Sequence, residues 1–120
     1  MDNCIAVILP VYKNDKVPYI HLSLDSILNQ TYKNIHLYVG VDGPVGEDLE
    51  KCLQKYEQND KVMVCWFPEN RGLAIVLNDL LDVCFKAGYD IIARMDADDI
   101  SMPERIEKQV AYLESHQDID

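Results

Sequence analysis

Four stretches of this chain are mainly apolar, the first of them without interruption, and nothing else in it narrows the fold as much. They are "CIAVIL" (4–9), "IHLYVGV" (35–41), "KVMVCWF" (61–67) and "YDIIARM" (89–95). A strand with one wet face alternates apolar and polar residues, whereas a strand covered on both faces has no reason to alternate. These runs therefore predict a sheet buried from above and below. The first is expected to end at Pro10, the second at the turn signal Asp42-Gly43-Pro44, the third before "PENRG" (68–72), and the fourth, read as a buried strand, at "DADD" (96–99).

Between the runs the period changes to that of a helix. Pro18 suits a helical first turn, and Tyr19, Ile20, Leu24, Ile27 and Leu28 follow at helical spacing until "NQTYKN" (29–34) breaks it. Leu49, Cys52, Leu53 and Tyr56 mark a second helix. A third is expected from Leu73 to about Lys86, closed by Gly88, with Leu73, Val76, Leu77, Leu80, Leu81 and Cys84 on its buried side. Ile106, Val110 and Leu113 mark a fourth, for which "SMPE" (101–104) offers a Ser-x-x-Glu capping box with proline in the first turn. Strands alternating with helices across short loops predict an α/β fold: one open, mostly parallel sheet with helices on both faces. The 120 residues suffice for one such domain, and no repeat or linker divides them.

A formal net charge of −10 argues against nucleic acid or an anionic membrane surface as a direct partner. An anionic ligand would need a cation as mediator. The apolar runs are too short for a membrane span, and the N-terminal one lacks the flanks of a secretory signal, so a cytoplasmic location is expected. Cys4, Cys52, Cys65 and Cys84 form no C-x-x-C and sit in apolar contexts, which reads as buried reduced thiols. His21, His36 and His116 lack a metal-spaced partner and read as structural or surface residues. No G-x-G-x-x-G, Walker lysine motif or G-x-S-x-G occurs, which removes the simplest dehydrogenase, NTPase and hydrolase readings.

In open α/β sheets ligands bind beyond the carboxyl ends of the strands. Those ends carry Pro10-Val11-Tyr12-Lys13, Asp42-Gly43-Pro44, Asn70-Arg71-Gly72 and Asp96-Ala97-Asp98-Asp99. Two carboxylates about 5 Å apart repel by roughly 3 kcal/mol at an effective dielectric near 20, so the last cluster asks for a counter-charge. Asp96 and Asp98 flank one residue and can offer oxygen ligands to a hard divalent ion on one side of the chain. Read alone, the same acids can simply decorate a helix start. Tyr12 can offer its ring as a stacking surface for a base, or half-bury it as packing. Asp42 can accept a hydrogen bond from a base-edge N–H, or serve an Asp-Gly turn. Arg71 can approach phosphates, with Gly72 permitting a close turn, or remain a solvated loop residue.

Taken together, a strand running into Pro-Val-Tyr, "SILNQTYKN" (26–34), a strand ending at Asp-Gly, "NRGLA" (70–74) and "DADD" followed by "MPERIEKQ" (102–109) resemble the nucleotide-binding half of family 2 glycosyltransferases of the GT-A fold. "VDGP" and "ARMDADDIS" are most similar to the branch associated with bacterial capsule and exopolysaccharide synthesis of the amylovoran type. The resemblance implies transfer of a sugar from a nucleotide diphosphate, UDP in the first place, to a glycan or lipid-linked acceptor, with inversion. It implies Mn²⁺ or Mg²⁺ as cofactor, Asp98 as principal metal ligand with Asp96 beside it, and Pro10, Val11, Tyr12, Asp42, Arg71 and Asp96 around the donor. Asp42 matches the position that meets uracil N3, although Val41 stands where the family often has a first acid. Lys13 replaces a common asparagine and is given a phosphate role; Leu77 and Asn78 stand where many members have an arginine. The acceptor-binding half and the general base are expected beyond residue 120, the chain being read as truncated, and the longer protein at the inner face of the membrane. A phosphoacceptor receiver domain and a noncatalytic nucleotide-binding module are the alternatives.

Overall fold

The residues Ile5–Val11 form strand β1 with every side chain buried. Its odd and even positions supply two separate cores. Ile5, Val7, Leu9 and Val11 join Ile35, Leu37, Val39 and Val41 of strand β2 (Ile35–Asp42) beneath helices α1 (Val17–Leu28), α2 (Glu47–Glu57) and α4 (Arg105–Ser115). Ala6, Ile8 and Tyr38 face helix α3 (Leu73–Lys86) alone. The fold is thus the expected α/β sandwich with helices on both faces. The computed structural model describes residues 4–97, 101 and 103–115.

Strands β3 (Val62–Phe67) and β4 (Ile91–Arg94) complete a parallel four-stranded sheet in the order β3-β2-β1-β4. The order reverses between β1 and β4, the place where such sheets open a crevice at their carboxyl edge. α3 comes close to the sheet because β2 has no side chain at Gly40, where a methyl would lie 2.7 Å from Val76 Cγ1 and 2.9 Å from Leu80 Cδ1.

Several boundaries differ from expectation. β1 does not stop at Pro10 but runs through it to Val11. Ile5 N–H donates toward β2, to the Asn34 carbonyl, and Ile8 C=O accepts from Met95 on the β4 side. Alternate residues share a direction, so Pro10 turns its missing N–H toward β4, past the last paired residue Arg94. β4 is shorter than the 89–95 run and only half-buried, because among the described residues it is the outermost strand on its side and pairs with β1 alone. The apolar stripes are also narrower than helical spacing predicts: Tyr19, Leu73, Leu81 and Leu113 are exposed, while Ile20, Leu24, Val76, Leu77, Leu80, Cys84, Ile106 and Val110 are buried. The capping box does not form as read. α4 starts at Arg105, beyond Pro103 and Glu104, and the Ser101 hydroxyl accepts from Arg105 Nη1 and faces Met95 Sδ.

The four cysteines are free, as expected, with Cys52 and Cys84 buried and Cys4 and Cys65 partly so. His21 contacts the Tyr56 hydroxyl, which donates to Asp25 across α1 and α2; His36 contacts the Tyr89 hydroxyl at the opposite edge of the sheet from the crevice. Both histidines are structural, and His116 lies outside the described residues.

Candidate functional site

At the end of β1 the chain turns on a reciprocal pair: Tyr12 N–H donates to Asp15 Oδ2 at 2.9 Å, and Asp15 N–H donates to the Tyr12 carbonyl at 3.0 Å. The turn leaves the Tyr12 ring 43% exposed above the carboxyl edge. At the end of β2 the Asp42 side chain is buried and points across to the segment that follows β3. Its Oδ1 accepts the Arg71 N–H at 2.7 Å and its Oδ2 accepts the Gly72 N–H at 3.0 Å. Gly43 completes this joint, because its φ of 83° belongs to the left-handed region and a methyl there would lie 2.7 Å from Asn70 N. One carboxylate and one glycine therefore fix the 70–72 segment against β2.

The result is a cavity of about 460 Å³ lined by Pro10, Val11, Tyr12, Lys13, Asp42, Asn70, Gly72 and Leu73. Its volume falls in the range of about 300–1,000 Å³ usual for small-molecule sites. α3 begins at this wall with Gly72 as its N-cap and no side-chain cap, so the positive end of a 14-residue helix borders the cavity next to Lys13. A groove of comparable volume, about 470 Å³, runs between β4 and α4 and contains none of the candidate residues.

The structure thus brings Pro10, Val11, Tyr12 and Asp42 together and adds Asn70 and Leu73, which sequence reasoning did not place in a site. Asn70 stood within the quoted "PENRG" loop. Leu73 was assigned to a core face that the actual helix turns outward. The Arg71 side chain is not part of the cavity lining; its guanidinium pairs with Asp79 of α3 and lies 5.5 Å from the centroid of the Phe67 ring. What Arg71 contributes at the wall is its backbone N–H.

Asp96 leaves the carboxyl end of β4, on the same edge of the sheet as Tyr12, with its carboxylate 3.6 Å from the Arg94 guanidinium and 48% exposed. Asp98 and Asp99 lie outside the described residues, and among the described residues no three potential ligands from His, Cys, Asp and Glu gather as a metal would require. The segment around them is braced from α1. Ser23 donates to the Ala97 carbonyl at 2.6 Å, Ser26 accepts the Ser101 N–H at 3.0 Å, and Gln30, fully buried, accepts the Ile106 N–H at 2.9 Å. Ser26 and Gln30 belong to "SILNQTYKN" (26–34), which entered the resemblance without a role for either residue, and Ser23 lies just before it.

The strongly shifted ionisable groups lie away from this edge. Burial, then hydrogen bonding to Asp25, raises the Tyr56 hydroxyl well above its usual range, and burial and Tyr38 do the same for Tyr89. Neither borders the cavity.

The sequence model of "Glycosyl transferase family 2" matches residues 6–119. Among curated proteins, the chain is 39% identical over 109 residues to the O-antigen biosynthesis glycosyltransferase WbnJ of Escherichia coli, covering 91% of this chain and 41% of that protein. It is 32% identical over 114 residues to the amylovoran biosynthesis glycosyltransferase AmsE of Erwinia amylovora, covering 95% and 42%. The chain therefore spans about two fifths of these relatives. Solved structures with the same fold include S. aureus TarS 1-349 in complex with UDP-GlcNAc, with a TM-score of 0.79 at 22% identity over 94% of this chain and 32% of that one. The mannosyltransferase PcManGT from Pyrobaculum calidifontis, in complex with GDP-Man and Mn2+, has a TM-score of 0.78 at 23% identity over 94% and 33%.

Proposed function

This chain belongs to glycosyl transferase family 2, and we propose that it forms the donor-binding half of an enzyme moving a sugar from a nucleotide diphosphate, UDP by preference, to an acceptor hydroxyl in surface polysaccharide synthesis. The observation that carries the reading is the convergence of Tyr12, Lys13 and Asp42 with the start of α3 around one cavity at the carboxyl edge. In this reading the Tyr12 ring stacks on the base. Asp42 has both oxygens engaged by loop amides yet retains lone pairs toward the cavity for a base N–H. Lys13 and the uncapped N–H groups of α3 face the diphosphate. Arg71 joins it by leaving Asp79, an exposed pair of the kind worth about 0–1 kcal/mol.

Asp96 suits a hard divalent ion: it is a half-exposed carboxylate oxygen donor at the crevice edge. Asp96 and Asp98 would hold Mn²⁺ or Mg²⁺, which supplies positive charge to the departing diphosphate. The other reaction requirement, a general base with the acceptor site, belongs to sequence beyond this chain, and inversion at the anomeric carbon follows from a single displacement there. No helix among the described residues is long and apolar enough to cross a membrane; a cytoplasmic location, against the inner face of the membrane where lipid-linked acceptors lie, completes the proposal. The receiver-domain alternative is set aside by the family match.

Calorimetric titration of UDP, GDP and dTDP, each with and without Mn²⁺, tests the reading. The expected result is metal-dependent binding of UDP that Asp98→Ala abolishes. Equal, metal-independent binding of all three nucleotides overturns it.

A further inference from the structure

Behind the Asp42–Gly43 joint, on the outer side of β3, lies a second, smaller concavity of about 240 Å³ with Trp66, Pro44, Pro68 and Glu50 in its lining. The geometry points to a binding site for one neutral pyranose ring of a glycan. Trp66 is the 39% exposed aromatic of the β3 end, and its indole N–H donates to Glu57 Oε2 at 3.1 Å, which fixes the orientation of the ring. Prolines at 44 and 68 and the tight Gly43 turn hold the backbone on either side, so the platform is preformed rather than assembled on binding. Glu50 makes no ion pair or side-chain hydrogen bond among the described residues. Its carboxylate is therefore available as an acceptor beside the indole.

The chemistry of the concavity selects the ligand class. No lysine or arginine lines it, and Glu50 repels phosphate, so a nucleotide or other anion is disfavoured. Its volume lies below the range of about 300–1,000 Å³ of drug-sized sites, which fits one ring. A pyranose presents an apolar C–H face to an aromatic plane and hydroxyl donors at its rim, matching Trp66 and Glu50 respectively. The site shares Gly43 with the joint that closes the donor cavity, so a glycan bound here reaches around the β2 and β3 ends toward the crevice. That this glycan is the polymer under synthesis rests on the proposed activity; that the site takes a neutral sugar does not.

Trp66 is the one tryptophan of the chain, so indole emission reports on this site. Titration with cellotriose, maltotriose and N-acetylchitotriose is expected to give a saturable emission change with at least one of them, in the presence or absence of UDP and Mn²⁺. Glu50→Gln, which keeps an acceptor but loses its charge, weakens that binding about fivefold, the scale of the difference between a charge-assisted and a neutral hydrogen bond. Trp66→Ala abolishes the sugar signal in saturation-transfer NMR, and both exposed substitutions leave UDP binding by calorimetry unchanged. No saturable response to any of the three sugars overturns the site, as does sugar binding that survives both substitutions, or saturation by choline in place of sugar. Because UDP binding is measured separately, failure here is distinguishable from failure of the donor-cavity reading.

Discussion

Replacing Asp42 by alanine probes the joint on which the donor cavity depends. The buried carboxylate accepts two backbone N–H groups, from Arg71 and Gly72. Hydrogen bonds to a charged group contribute about 1.5–3 kcal/mol each, but water entering the vacated space recovers part of this, so a net loss of about 3 kcal/mol is expected. For a domain of this size each kcal/mol moves Tm by roughly 4 °C, and Asp42→Ala should melt about 12 °C lower in a calorimetric scan. Asp42→Asn should fall between, since it keeps one acceptor but turns an NH₂ toward the second loop amide. The two roles of Asp42 separate in the same variant: if the carboxylate chiefly holds the loop, Asn lowers affinity for UDP, GDP and dTDP alike at low temperature. If it also reads the base, the preference for UDP is lost. A melting temperature within about 2 °C of the parent in Asp42→Ala would refute the structural role, because two charge-assisted bonds cannot vanish at so small a cost.

Gln30→Ala leaves the buried Ile106 N–H without its partner and should cost about 1–3 kcal/mol in urea unfolding, and Gln30→Glu should cost at least as much, because it keeps that acceptor but buries a charge and sets an oxygen against the Ser26 carbonyl to which the Gln30 amide donates. Gly40→Ala forces a methyl against Val76 and Leu80 and should destabilise by about 1–3 kcal/mol; adding Val76→Ala should recover part of the loss, a non-additivity measurable in a double-mutant cycle. Burial, aided by the neighbouring Cys65, pushes the Cys84 thiol up to about 11 from 9.0. The folded state then holds this proton longer than the unfolded one, so the contribution is complete below pH 9.0 and is lost as pH rises toward 11. Urea midpoints should fall across that interval, less steeply in Cys84→Ala.

What could be read in advance was whatever depends on local pattern. The bounds of α3, Leu73–Lys86, emerge from helical spacing and the glycine that follows. The end of β2 at Asp42 emerges from a turn signal. What escaped depends on neighbours remote in the chain. Passage of β1 through Pro10 is permitted because β4 stops short, and no property of "CIAVILPV" encodes the length of β4. Leu81 and Leu113 follow the apolar period, but the period tells which side of a helix is greasy and not how wide the layer beneath it is. At the site, strand ends were legible because parallel sheets present ligands there. The destination of the Arg71 side chain was not, since it is decided by Asp79 one loop and two helical turns later. The predicted metal ligand Asp98 falls outside the described residues, so the sequence remains its sole support.

Ser23 and Ser26 are one helical turn apart on α1 and grip the chain at Ala97 and Ser101. Three residues separate those grips, so a graft inserted between Ala97 and Ser101 has its length set by α1. Lengthening the graft by even one residue would force the polypeptide to surrender one of its two moorings on α1.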